Sequence, residues 1–421
     1  MTNLDAAYRK VFRRVVSFMF LLYICAYLDR INIGFAALSM NRDLGLTPTA
    51  FGLANTIFYV GYMLFEVPSN LMLARLGART WLARIMVTWG IASTATAFAG
   101  GATSLYVMRL LVGVAEAGFV PGVLLYLTYW LPRSHQARAN AWFMVAQPLS
   151  IACGSILSGY IMQMNGVLGL AGWRWLFIIE GVPSIVLGVV TFFYLQDEPR
   201  QARWLSDGER DAIAAAVAAE SPDTAGARVW SELGSRRVVL LCLSYFGLVS
   251  TLNTNATWVP QIVREILGGP ADFLRVGVWT AIPAIITMVA MPLWSARSDR
   301  RDERLWHVRV PMALAALGWV LVVMAASPLA RFAGLTLVSI GAFCGMAIFW
   351  TLPAAVLSPA ARPAGIAVIS TAGIFGSAVS PSIIGMLRDA TGNFSAGLLY
   401  VAVLLVVSIG CVGAGSARQR A

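Results

Sequence analysis

The chain has 421 residues, of which 58% are hydrophobic and 12% are charged, and its formal net charge is +11. Soluble domains carry about 25% charged residues, so this composition excludes a soluble globular protein and predicts a polytopic membrane protein. The positive charge lies in short loops and at the chain ends rather than in a basic aqueous domain, which argues against a nucleic-acid partner.

Twelve apolar runs are long enough to span a bilayer, which takes about 20 helical residues. They cover residues 14–38, 51–73, 82–101, 104–130, 140–163, 174–196, 237–259, 273–295, 309–329, 334–357, 364–387 and 396–415. The predicted fold is an all-α membrane protein with twelve transmembrane helices. A polar stretch divides six runs from six, which predicts an N-terminal half (1–196), a linker (197–236) and a C-terminal half (237–421).

The basic residues predict the orientation of the chain. Most of the 31 Lys and Arg residues fall at the N-terminus, after the even-numbered spans, in the linker and at the C-terminus. By the positive-inside rule these segments face the cytoplasm, which predicts a multi-pass protein of the cell inner membrane with both termini cytoplasmic. Within the linker, Ser206 and Asp207 predict the cap of a surface helix.

Two pairs of charges interrupt the apolar runs. Asp29 and Arg30 lie in the first run, and Arg109 and Glu116 lie in the fourth, seven residues apart and therefore on nearly one helix face. A charge near the bilayer centre costs about 2.5–3.5 kcal/mol, so such residues face a cavity or each other. Guanidinium groups suit carboxylate binding, and buried carboxyls suit proton carriage. Fixed ion pairs are the alternative for all four.

The seventh run is unusually polar and carries Asn253 and Asn255. Buried amides are costly without partners, so these side chains are expected to bind a polar substrate or to join neighbouring helices. Trp350 in the tenth run is a candidate wall of the same site, with ordinary packing as the alternative. Glu180 in the sixth run lies close to Trp173 and Arg174 and is expected to pair structurally with them, with a role in coupling as the alternative.

No constellation typical of an enzyme is present in the sequence. There is no Ser/His/Asp set, no phosphate-binding loop and no cluster with metal-ligand spacing, and the two histidines, His135 and His307, fall in predicted loops. We expect no catalytic residue, no metal and no cofactor, with protons as the coupling ion. An ion gradient is then the energy source rather than ATP.

Long motifs resemble those of a known family. They are YLDRINIGFAALSMNRDLGL (27–46), GYMLFEVPSNLMLARLGAR (61–79), RLLVGVAEAGFVPGVLLYLTYWLP (109–132), GWRWLFIIEG (172–181) and a basic loop at 298–308. With the six-plus-six plan, they resemble the major facilitator superfamily and, within it, the anion:cation symporter family. The resemblance implies the major facilitator fold and proton-coupled import of an organic anion such as a sugar acid, a tartrate-like hydroxy acid or an aromatic carboxylate.

The resemblance also implies roles for individual residues. Coupling falls to Asp29 and Glu116, and anion binding to Arg30 and Arg109. Tyr62 and Gln147 match positions that help to hold substrate. A gating role is expected for residues in and near the two basic loops, namely Glu66, Arg75, Arg79, Asp299, Arg300 and Arg304.

Three departures from the family pattern leave the substrate open. Ala74 replaces an acidic residue before the first basic loop, and the segments 252–258 and 369–374 differ in the seventh and eleventh spans. The polar seventh span favours hydroxylated acids over aromatic ones. A membrane sensor that kept the transporter fold and an exporter or antiporter of organic anions are the alternatives. A monomer in the lipid bilayer suffices for the transport mechanism.

Overall fold

The computed structural model describes residues 3–218, 232–268, 272–358 and 361–415, and most of these residues are helical. The first helices are α1 (Asn3–Val11), α2 (Ser17–Asp43), α3 (Pro48–Leu76), α4 (Ala78–Thr96), α5 (Ala102–Glu116), α6 (Phe119–Trp130), α7 (Arg133–Met162), α8 (Gly172–Tyr194) and α9 (Asp207–Ala218). The later helices are α10 (Arg236–Leu267), α11 (Phe273–Arg301), α12 (Leu305–Met324), α13 (Pro328–Phe349), α14 (Thr351–Val356), α15 (Arg362–Thr391) and α16 (Ser395–Gly415).

The predicted all-α membrane fold is confirmed. In the described part of the chain, 11 helical segments are long and apolar enough to cross a membrane. The remaining predicted span is the third, which forms α4. This helix has 19 residues and carries Arg79 and Arg84 near its start, so it is less apolar than the others. It buries Leu82, Ile85 and Trp89 completely, which places it inside the helical bundle.

Two spans predicted as continuous are broken. In the fourth span, α5 ends at Glu116 because Gly118 adopts a φ of +84°, a backbone conformation that glycine favours. A Cβ atom there would lie 2.5 Å from the Ser69 hydroxyl, so the site also has no room for a side chain. In the tenth span, Trp350 separates α13 from α14. Glu116 and Trp350 therefore both lie at helix ends rather than within helices.

The two predicted halves contact each other at one end of the bundle, which we call the closed end. There the backbone N–H and the hydroxyl of Thr49 donate to Asp389, and the Gln163 amide donates to Asp272 at 2.8 Å. These bonds tie α3 to the end of α15 and α7 to the start of α11. The predicted boundaries of the halves and the linker remain predictions.

Glycines allow close packing at the closed end. A Cβ atom at Gly52 would lie 2.3 Å from the carbonyl oxygen of Pro381, and one at Gly277 would lie 2.3 Å from that of Ser155. Backbone oxygens in a helix do not move aside as the end of a flexible side chain does. A larger residue at either position therefore forces the helices apart.

The start of the linker is attached to the first helices. The predicted cap at Ser206 is confirmed: α9 begins at Asp207, and Ser206 and Glu209 exchange backbone–side-chain hydrogen bonds as a capping box. Lys10 pairs with Glu209 at 2.7 Å and holds the pKa of the Glu209 carboxyl below its usual range. Trp204 stacks on Trp130, with ring centroids 5.7 Å apart. Residues 219–231 of the predicted linker lie outside the described residues.

Candidate functional site

The adjacent residues Asp29 and Arg30 point in different directions from the middle of α2. Successive residues on an α-helix are separated by about 100°, since a turn takes 3.6 residues. Asp29 is directed at α4 and α8, where Trp89 and Ser184 donate to it. Arg30 is directed at α5, where it meets Glu116. The two charges predicted to face a cavity or each other therefore take part in separate networks.

Arg30 and Glu116 form a salt bridge at mid-membrane. The Nε atom of Arg30 donates to Glu116 Oε1 at 2.6 Å, and the side chains are 20% and 1% exposed respectively. The guanidinium also lies over the Tyr62 ring, 5.3 Å from its centroid. Because Glu116 is bonded to Nε, the Nη edge of the guanidinium is directed elsewhere. This edge is the part of Arg30 that a second carboxylate can engage with two hydrogen bonds.

Arg109 is buried away from that salt bridge. It is 4% exposed, its guanidinium lies 4.4 Å from the Phe58 ring centroid, and Nη2 makes a long contact of 3.5 Å with Asn55. Its Nε has no hydrogen-bond partner, and among the described residues no carboxylate lies within salt-bridge distance. Arg109 and Glu116 therefore lie on one helix but have different partners. Arg109 contacts side chains of α3, and Glu116 pairs with Arg30 of α2.

Asp29 is enclosed by hydrogen-bond donors. It is 4% exposed and accepts from four side chains on three helices. These donors are Asn32 at 3.1 Å, Ser93 at 2.8 Å, Trp89 at 2.5 Å and Ser184 at 3.3 Å. These donors stabilise the ionised form of the carboxyl and oppose the effect of its burial.

The candidate substrate-binding residues of the second half differ in their surroundings: one is bonded to neighbouring helices, and the other two are partly exposed. Asn253 accepts from the Tyr59 hydroxyl at 2.9 Å and donates to the Ser377 carbonyl at 2.9 Å, so it joins α3, α10 and α15 as the inter-helix alternative describes. Asn255 is partly exposed. Trp350 is also partly exposed, and its ring centroid lies 4.8 Å from that of Tyr245.

Gln147 lies near the same region of the bundle. It donates to the Tyr23 hydroxyl at 2.6 Å, and Tyr23 packs edge-on against Tyr27 of the same helix. Gln147 therefore connects α7 to α2 through a phenol.

The residues with an expected gating role cluster at the end opposite the closed end. The Arg79 backbone N–H donates to Asp197 at 2.8 Å, and Arg304 pairs with Asp299 at 2.5 Å. Arg75 and Arg300 are exposed. Neither contact joins the two predicted halves, since Asp197 is the first residue of the predicted linker, shortly after α8, and Asp299 lies in the last turn of α11.

Glu66 was expected to pair with the basic loops, but the structure places it nearer to Arg30. It is half-buried and within electrostatic reach of Arg30, and the described residues give it no ion pair. Glu66 lies nine residues before Arg75 on α3, more than two helical turns from it, which explains the difference.

Sequence analysis missed several members of the polar interior. Asn55, Phe58 and Tyr59 precede Tyr62 on α3 at the spacing of one helix face. Asn55 and Phe58 contact Arg109, and the Tyr59 hydroxyl donates to Asn253. That spacing was the available signal for a polar and aromatic face directed into the bundle.

The structure gives no candidate metal centre in the part of the chain that it describes, where no three His, Cys, Asp or Glu residues come together. The histidines lie in helices rather than in loops. His135 is in α7, and His307 is in α12, 5% exposed, with Nδ1 2.7 Å from Glu303. A buried histidine within hydrogen-bond distance of a glutamate at a helix start is a structural contact.

Comparisons with known proteins agree with this architecture. The sequence pattern of the Major Facilitator Superfamily matches residues 19–381. A protein of Agrobacterium vitis described as a putative tartrate transporter is 48% identical over 95% of this chain and 92% of its own length. A quinolone resistance transporter of Acinetobacter baumannii is 36% identical over 95% of this chain and 93% of its own length.

A solved structure shows the same fold at low sequence identity. An inward-facing bacterial homologue of the human lysosomal transporter Spinster superposes with a TM-score of 0.77 at 16% identity, covering 96% of each chain. At this identity the likeness concerns the fold alone.

Proposed function

Because this chain belongs to the Major Facilitator Superfamily, we propose that it is a proton-coupled symporter that imports a small hydroxylated organic anion of the tartrate type. The observation that carries the proposal is the salt bridge at mid-membrane between Arg30 and Glu116. It offers a guanidinium to an incoming carboxylate and a carboxylate to an incoming proton. The tartrate transporter of Agrobacterium vitis supports the choice of substrate.

The mechanism follows from competition for one guanidinium. While Glu116 is ionised, it neutralises Arg30, and a substrate anion gains little by approaching. When Glu116 takes up a proton, Arg30 regains an unpaired positive charge in a region of low dielectric, where its attraction for a carboxylate is strong. Binding of the proton and binding of the anion therefore favour each other, which is the requirement for symport.

The orientation of the chain indicates which side of the membrane is closed in this conformation. The basic loops and α9 lie at the end opposite the closed end, and the positive-inside rule assigns that end to the cytoplasm. In this conformation the proposed site is then closed from the outside. Alternating access would rock the two halves about the site, as in other transporters built from two repeats.

The deciding experiment measures pH inside proteoliposomes that are loaded with a pH-sensitive dye. Tartrate is added outside, alongside sugar acids and aromatic acids. Acidification of the lumen by one class of acid is the expected result, and liposomes without protein provide the control. Alkalinisation of the lumen would instead indicate an antiporter. Binding without flux would indicate a sensor.

Blocking the closed end should trap the transporter in the opposite conformation. We expect Gly52→Val to lower uptake at least about tenfold, because the side chain would meet the Pro381 carbonyl and a packing clash of this kind costs about 1–3 kcal/mol. The readout is the distance between spin labels on Thr49 and Asp389, which should increase.

The matched control is Gly410→Val, since a Cβ atom at Gly410 meets nothing within 4 Å. This variant is expected to transport at the unmodified rate. Normal uptake by Gly52→Val, with the label distance unchanged, would show that the close contact at α3 and α15 does not limit the conformational change.

A further inference from the structure

A second buried carboxyl lies beside Asp29, in the interior of the first six spans and away from the Arg30 salt bridge. Glu180 of α8 is 4% exposed and accepts one hydrogen bond, from Ser158 of α7 at 2.8 Å. It does not pair with Trp173 or Arg174 as expected. Trp173 donates to Asp43, and Arg174 donates to backbone carbonyls at the end of α4.

Asn32 connects the two carboxyls. It is completely buried, donates to Asp29 at 3.1 Å, and lies within hydrogen-bonding reach of Glu180. Two oxygen atoms of this cluster have no partner, namely Oδ1 of Asn32 and Oε2 of Glu180. The amide oxygen of Asn32 is always an acceptor, and Oε2 of Glu180 is one when Glu180 is ionised, so each is a buried acceptor left without a donor, which is costly.

Protonation of Glu180 turns Oε2 from a buried acceptor without a donor into a hydrogen-bond donor. The unpartnered Oδ1 of Asn32 is an acceptor available to an O–H group at Oε2, while the Asn32 amide continues to donate to Asp29. Asp29, with four donors, is the natural holder of the negative charge. Ser184, one helical turn after Glu180 on α8, donates to Asp29, so the two carboxyls lie close enough to interact electrostatically. They are not expected to be ionised together, because each disfavours the charge of the other.

We propose that Asp29 and Glu180 form one proton-binding site that holds a single shared proton, with the proton on Glu180 Oε2 in this conformation. The site then carries one negative charge. Transfer to Asp29 breaks the O–H bond at Glu180 and forms one at Asp29, so charge is conserved. This proposal rests on the proposed function in one respect, namely that the shared proton is one of those that move during transport.

A metal cation fits the same cluster less well. Sodium needs several oxygen ligands, yet the donors around Asp29 include the N–H groups of Trp89 and Asn32, which point hydrogen atoms at the carboxylate. Only two oxygens of the cluster lack a partner. The geometry is that of a site built to hold a proton between two acids.

The other titratable groups that face the cluster are few. Cys25 lies on α2, one turn before Asp29, and is within electrostatic reach of both carboxyls. Arg109 and Glu116 act on Asp29 from α5. Trp89 and Ser93 of α4 donate to Asp29, and Ser158 of α7 donates to Glu180. None of these side chains ionises in the working range.

Infrared spectroscopy of the purified protein in liposomes tests the location of the proton directly. At neutral pH we expect a carbonyl band of a protonated carboxylic acid that shifts when glutamate side chains carry ¹³C and is missing in Glu180→Gln. Glu209→Gln is the control and should keep the band, because Glu209 lies in the helix α9 of the linker, paired with Lys10. The isotope shift is measured on the unmodified chain, so it stands even if the variant folds poorly.

Three outcomes overturn the assignment. They are absence of the acid band, a band that ¹³C-glutamate does not shift, and a band that disappears when sodium is added, which would indicate a cation site. None of these depends on transport, so the proton site and the proposed function fail separately.

The pH profile of uptake tests the sharing of the proton. In Glu180→Gln only Asp29 can bind the shared proton, and the four hydrogen-bond donors around Asp29 favour its ionised form. The midpoint of the pH dependence should therefore move to lower pH by about one unit or more. A uniform loss of rate with an unchanged midpoint would mean that Glu180 is structural only.

Discussion

Arg30→Lys is expected to weaken tartrate binding about 10- to 100-fold. Lysine keeps the positive charge beside Glu116, so the salt bridge and the fold survive. It lacks the planar edge that makes two parallel hydrogen bonds to a carboxylate, and a hydrogen bond to a charged group contributes about 1.5–3 kcal/mol. Equilibrium binding of radiolabelled tartrate to the purified protein measures the effect.

The matched control for this substitution is Arg42→Lys. Arg42 lies near the end of the same helix and also pairs with an acidic residue, Asp43 at 3.4 Å, but its side chain is 86% exposed. Exposed pairs of this kind contribute about 0–1 kcal/mol, so affinity should be unchanged. Full affinity in Arg30→Lys itself would exclude Arg30 as the anchor of the anion and would redirect attention to buried Arg109.

Glu116→Gln is expected to abolish accumulation driven by a proton gradient while exchange of substrate across the membrane continues. Glutamine mimics the protonated acid and cannot release the proton, so the anion binds and crosses without it. The affinity for tartrate should rise with falling pH in the unmodified protein, because protonation of Glu116 makes Arg30 available. In the variant the affinity should be high at every pH.

Glu265→Gln provides a comparison for this second substitution. Glu265 pairs with Arg388 at 2.8 Å near the closed end, with its side chain 40% exposed, so it shares the chemistry of Glu116 but not its position. We expect it to retain accumulation. If Glu116→Gln accumulated substrate fully, the coupling role of Glu116 would be wrong, and the carboxyl pair of Asp29 and Glu180 would be left as the place where protons are coupled.

The transmembrane plan was predictable because span length and apolar character are properties of each segment by itself. The helical membrane fold and the family follow from those runs and from motifs of consecutive residues, and both are confirmed. The cap of α9 at Ser206 was equally predictable, since a capping box is formed within four residues. The break after Glu116 was missed because Gly118 adopts its unusual φ only where Ser69 of α3 packs against it.

The sequence also determined which charges are buried, since Asp29, Arg30, Arg109 and Glu116 lie within apolar runs. Only the tertiary structure decided their partners. Arg30 pairs with a residue 86 positions later, and Asp29 accepts from a residue 155 positions later. The physical reason is rotational: neighbours on a helix point about 100° apart, and the packing of the surrounding helices fixes what each direction meets.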